Sequence, residues 1–238
     1  MITDSLKRLA AKGKLTEPQA ARASAAIQTT TLYSSFGDAD IVVEAATEDE
    51  NRKVEIFRGI DQSVRPSAII ATNTSSISIT KLASFVSNSE RVVGMHFFNP
   101  VPLMSLVEIV RGLRTSDATF EAVTVFAKRL GKQTISVKNA PGFVVNRVLL
   151  PMINEAFFVL AEGEATPQDI DSGMKLGCNH PMGPLALADL IGLDVVLAVM
   201  DVFHRDFADS KYRPCPLLKE MVDAGDLGRK TGRGVYNY

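Results

Sequence analysis

Two residues whose types and spacing suit proton chemistry, His96 and Glu108, stand on either side of a proline corner in RVVGMHFFNPVPLMSLVEIVRG, residues 91–112. The apolar run 92–98 leads into Asn99, Pro100 and Pro102, and a second apolar run, 106–110, leads out. Proline fixes φ and removes a donor, so the chain turns there. If the second run returns antiparallel beside the first, Glu108 comes close to His96. A carboxylate there would orient the imidazole and stabilise its protonated form, which is the arrangement of a general base. The same pair would equally serve to stiffen a hairpin.

Other polar groups sit where ligands bind in α/β sheets. Asn73-Thr74-Ser75-Ser76 directly follows the apolar stretch 68–72. A serine beyond the carboxyl end of a strand can bond a substrate oxygen or a cofactor amide, although serine and threonine are also favoured helix caps. Asn146, in PGFVVNR, places an amide on an apolar stretch, where burial without a partner is costly. Glu48 and Lys53, after the apolar run 41–46, read from pattern alone as solvated charges. Lys12 is a cation suited to an anionic phosphate, as are its neighbours Lys7, Arg8 and Lys14. His180 lies in a turn and His204 near a helix end; neither has an acidic or nucleophilic setting, so both read as surface or packing residues.

The elements that must position these groups fall into two halves. Helical patterns cover 3–12 and 17–27, the latter with Pro18 in its first turn. Short strands are expected at 28–32, 41–46, 68–72, 92–97, 106–110 and 133–137, with helices at 51–64, 79–86 and 117–130. Strand and helix alternating at this rhythm imply parallel pairing with helices on the faces. After Ala140-Pro141-Gly142 the patterns are helical only: 144–164, 166–176, 184–207 and 216–224, separated by turn signals such as 177–181 and 192–194. The fold class is therefore α/β, a doubly wound sheet at 1–139, followed by an all-α domain at 140–238. Apolar Met152, Phe157, Phe158 and Leu160 read as exposed on that domain, suggesting a core completed by a second copy, against the alternative of a self-contained bundle.

Bulk properties exclude several classes. A net charge of −1 gives no electrostatic footprint for nucleic acid or an acidic membrane surface. No apolar run approaches the roughly 18 residues that span a bilayer. Two cysteines without metal-ligand spacing give no metal site and suit a reducing, cytoplasmic setting.

The blocks DIVVEAATED at 40–49, IIATNTSSISIT at 69–80, HFFNP with LVEIVRG, APGFVVNRVLLPMINEA at 140–156, MKLGCNHPMGPLALADLIGLD at 174–194 and LGRKTGRGVYNY at 227–238 resemble the 3-hydroxyacyl-CoA dehydrogenase family, above all its bacterial 3-hydroxybutyryl-CoA branch. Their order and separations match from about residue 3 to the end. The resemblance implies NAD-dependent oxidation of a short-chain (3S)-3-hydroxyacyl-CoA to the 3-oxoacyl-CoA, with His96 as base and Glu108 as its orienter. It implies that Ser75 and Asn146 hold the substrate oxygen, and that Glu48, Lys53, Ser75, Asn99 and Lys230 contact NAD. Ser5 and Lys12 match positions that hold the CoA, again with Ser75, and the helical domain is implied to form a homodimer. Ser105 stands where many relatives have Lys, and Ala186 where an acidic residue is usual.

One departure is larger. A dinucleotide-binding half should open with a strand, G-x-G-x-x-G and an acidic residue about 20 positions on, and the sixteen glycines never fall in that pattern. The sheet is accordingly expected to be an incomplete Rossmann-like one, truncated before Met1, with weak or absent NAD binding. A dimerising acyl-CoA-binding module with little or no turnover is the alternative reading.

Overall fold

The computed structural model describes residues 2–238. Two helices, α1 (Ile2–Ala11) and α2 (Glu17–Ala25), form an N-terminal hairpin and pack chiefly on each other. A reciprocal capping box, Thr16 with Gln19, starts α2. The sheet follows, built from β1 (Ile41–Glu44), β2 (Ile69–Thr72), β3 (Val92–Phe97), β4 (Leu106–Arg111) and β5 (Gln133–Lys138). Its order is sequential, β1-β2-β3-β4-β5; β1, β2 and β3 run parallel, β3 and β4 pair antiparallel, and β4 and β5 are parallel again.

Side chains alternate across a strand, so each strand feeds two cores. Ile70, Val92 and Val110 face a core with Phe57 and Ile60 of α3 (Glu50–Ser63) and Ile79 and Leu82 of α4 (Ile79–Ala83). Ala71, Val93, Met95, Val107 and Ile109 face the other side, against Val123 and Ala127 of α5 (Asp117–Arg129). Period two then assigns His96 to the face of Val92 and Gly94, and Glu108 to the face of Val110. These are one and the same face.

The chain after β5 contains helices only: α6 (Val145–Ala161), α7 (Pro167–Gly177), α8 (Pro184–Ile191), α9 (Leu193–Phe207) and α10 (Pro216–Asp223). Their core gathers Leu150, Ile153, Phe157, Leu185, Val196, Met200, Phe203 and Leu218. Each such side chain contributes roughly 1.5–3 kcal/mol on burial. The C-terminal tail closes over this bundle. The carboxylate of Asp189 accepts the N–H groups of Val235 and Tyr236 and the hydroxyl of Tyr238.

Two expectations from sequence fail here. Residues 28–32 form no strand; they run as exposed irregular chain, because no neighbouring strand offers backbone partners. The four apolar side chains of α6 expected to be exposed are not left outside. Phe157 is fully buried, and Met152, Phe158 and Leu160 pack against the bundle's own core.

Candidate active site

The antiparallel register places His96 directly opposite Glu108. His96 Nδ1 lies 2.7 Å from Glu108 Oε2, with the histidine 6% exposed and the glutamate fully buried. Phe98 and Phe143 flank the imidazole, ring centroids 4.6 and 5.5 Å away. The second oxygen of Glu108 is also engaged: Oε1 accepts the N–H groups of Val144 and Val145, at 3.1 and 3.0 Å. Those amides open α6, whose N-terminus has no side-chain cap of its own. One carboxylate therefore holds the imidazole and binds the positive end of the helix that carries Asn146 in its first turn. With Nδ1–H donating to Glu108, the imidazole keeps a bare Nε2, the atom that can take a proton.

A second cluster lies beyond the carboxyl ends of β1 and β2. Glu48 accepts three hydrogen bonds: from the Ser75 N–H at 2.6 Å, the Ser75 hydroxyl at 2.9 Å and the Thr74 hydroxyl at 2.7 Å. Asn73 ties this loop to the histidine strand, its Oδ1 accepting the Phe97 N–H at 2.8 Å. Ser75 is thus bound to Glu48, and the cap of α4 is Ser78, whose hydroxyl accepts the Lys81 N–H. A hollow of about 190 Å³ opens beside these groups, lined by Ala45, Ala46, Thr47, Glu48, Lys53 and Asn73. Lys53 is a buried cation there, paired with Glu44, which also accepts the Thr72 hydroxyl at 2.8 Å. Burial alone would raise the Glu44 carboxyl. Hydrogen bonds from Lys53, the Ala46 N–H and Thr72 outweigh it and hold the group below its ordinary range.

The structure thus joins His96, Glu108 and the first turn of α6 with Asn146, and separately Glu48 with Ser75, the two linked through Asn73. Lys53 reaches the same hollow, but as the partner of Glu44. Asn99 is exposed in the corner after β3. Lys230 pairs with Asp194 at 2.5 Å among the C-terminal helices, and Ser5 and Lys12 lie on the N-terminal hairpin; no hydrogen bond or ion pair links any of the three to His96 or Glu48. Among the described residues no group of three or more His, Cys, Asp or Glu side chains could hold a metal ion. Sequence reasoning named Asn73 within 73–76 without giving it a role, and missed Phe143. Asn73 carries a visible signal, an asparagine at a strand end, but Phe143 holds a left-handed φ of 53° that nothing in its residue type announces.

The model of the 3-hydroxyacyl-CoA dehydrogenase NAD binding domain matches residues 1–140, and that of the 3-hydroxyacyl-CoA dehydrogenase C-terminal domain matches residues 142–238. A 3-hydroxybutyryl-CoA dehydrogenase of Clostridioides difficile is 49% identical over 238 residues, covering 100% of this chain and 85% of that protein. The mitochondrial hydroxyacyl-coenzyme A dehydrogenase of Rattus norvegicus is 41% identical over 244 residues, covering 100% of this chain and 78% of the relative. The crystal structure of (S)-3-hydroxybutyryl-CoA dehydrogenase from Ralstonia eutropha superposes with a TM-score of 0.97 at 62% identity, covering 99% of this chain and 83% of that one.

Proposed function

This chain belongs to the 3-hydroxyacyl-CoA dehydrogenase family, whose reaction is the NAD-dependent oxidation of a 3-hydroxyacyl-CoA, and we propose that here His96 is its base and a short-chain (3S) substrate such as 3-hydroxybutyryl-CoA its preferred one. The observation that carries this is the His96–Glu108 pair, buried, in direct register, with Nε2 uncommitted. Relatives named 3-hydroxybutyryl-CoA dehydrogenase support the short chain.

In this reading Nε2 of His96 takes the proton of the 3-hydroxyl while Glu108 stabilises the imidazolium that forms. Asn146 and Ser75 hold the substrate oxygen. The buried cation, carboxylate and hydroxyls beyond the ends of β1 and β2 fit a nicotinamide nucleotide, so Glu48, Lys53, Ser75 and Asn99 would hold it, with Lys230 a more distant contact. Bound there, the nicotinamide supplies the two-electron acceptor for the hydride leaving C3. Ser5 and Lys12 would meet the CoA. We assign residues 1–139 to the cofactor domain and 140–238 to the helical one, which would pair with a second copy; exposed Val148, Leu176 and Leu190 support that pairing. No helix among the described residues is long and apolar enough to cross a membrane, and a cytoplasmic setting suits cysteines that are both free.

The test is the loss of NADH absorbance with acetoacetyl-CoA present. Turnover that is fastest with the four-carbon substrate supports the reading. One competitor, an acyl-CoA-binding module, predicts a flat trace with CoA still bound.

A further inference from the structure

We propose that Lys132 is a positioning residue for this reaction, acting on the corner 99–105 that follows the histidine strand; the inference rests on the function proposed above. The corner's apolar side chains do little to hold it, since Val101, Leu103 and Met104 are 44%, 67% and 42% exposed. Backbone carbonyls hold it instead. The Pro100 carbonyl accepts the N–H groups of Leu103 and Met104, at 2.9 and 3.0 Å. The Lys132 ammonium, reaching across from the turn between α5 and β5, donates to the Val101 carbonyl and, at 2.7 Å, to the Met104 carbonyl. Next to it, the Gln133 N–H donates to the Ser105 carbonyl at 2.8 Å.

Both hydrogen bonds of the ammonium therefore end on this one corner, and bonds from a cation are the stronger kind. At its upstream end the corner continues Phe98, whose ring packs on His96, and Asn99, one of the proposed cofactor contacts. Lys132 touches neither the substrate nor the base in this account. It closes the corner against β5, so that Phe98 and Asn99 emerge from β3 in one conformation.

Lys132→Met keeps the stem and removes the charge; Lys132→Arg restores donors to both carbonyls. In Lys132→Met the amides of Leu103 and Met104 should exchange with solvent at least about tenfold faster, with those of Met95 and Ile109 unchanged, because only the corner is released. Its kcat/KM for NADH with acetoacetyl-CoA should fall about tenfold, the scale of a displaced but intact site, and Lys132→Arg should recover most of that. A Lys132→Met protein with wild-type kcat/KM overturns the role, as does a kinetic loss with unchanged exchange at 103 and 104. A loss that follows general unfolding and is not recovered by arginine also overturns it. A wild type that turns nothing over overturns the functional reading and this role with it; wild-type turnover with an indifferent Lys132→Met overturns this role alone.

Discussion

An imidazole acts as a base on a hydroxyl when its ring is held and one nitrogen is left bare, and both conditions at His96 trace to Glu108. Glu108→Gln separates the glutamate's two duties. The amide oxygen can still receive the Val144 and Val145 N–H groups, but its NH2 then faces Nδ1 and forces the opposite tautomer, protonated at Nε2. Expected is a fall in kcat on the order of 10²–10⁴-fold, with little change in thermal midpoint. Glu108→Ala loses the capping duty too, leaving buried donors unpaired; it should cost about 3 kcal/mol in urea unfolding. The pairing of His96 with Glu108 was legible in the sequence, because two apolar runs around a proline corner fix which residues can face each other. The cap on α6 was not, since its donors are main-chain amides and any residue type supplies them.

At the scale of elements, the junction between β5 and α6 is closely packed. Gly142 has φ of 72°, and a Cβ there would lie 2.2 Å from the Phe203 ring. Gly142→Ala should therefore strain the turn and push Phe143 to Val145 away from the dyad. We expect about 2 kcal/mol of lost stability, roughly 4–8 °C in thermal midpoint for a chain of this length, read by scanning calorimetry. The Glu44–Lys53 pair, which joins β1 to α3, makes a pH prediction. The folded-state pKa of Glu44 lies below its ordinary value, because bonds from Lys53, the Ala46 N–H and Thr72 outweigh its burial. Its contribution is thus fully present above that value and is lost as pH falls through the folded pKa. Glu44→Gln should flatten the acid limb of the stability curve below about pH 4.5; an unchanged limb would show that the pair carries no such linkage. Most strands and helices were readable from periodicity, to within a few residues. The strand expected at 28–32 was not formed because a β-pattern states only a preference, and a strand needs a neighbour.

On the scale of the whole molecule, the sheet half and the helical half meet where one carboxylate binds a histidine from the first and a helix start from the second. That junction would let His96 on β3 and Asn146 on α6 serve one substrate oxygen, as proposed. The central claim is that His96 moves the proton, and the direct measurement is NADH oxidation by wild type and His96→Gln at saturating acetoacetyl-CoA. The account predicts turnover in the wild type and a loss on the order of 10²–10⁴-fold in a variant that keeps its fold. Equal rates in the two proteins would contradict it.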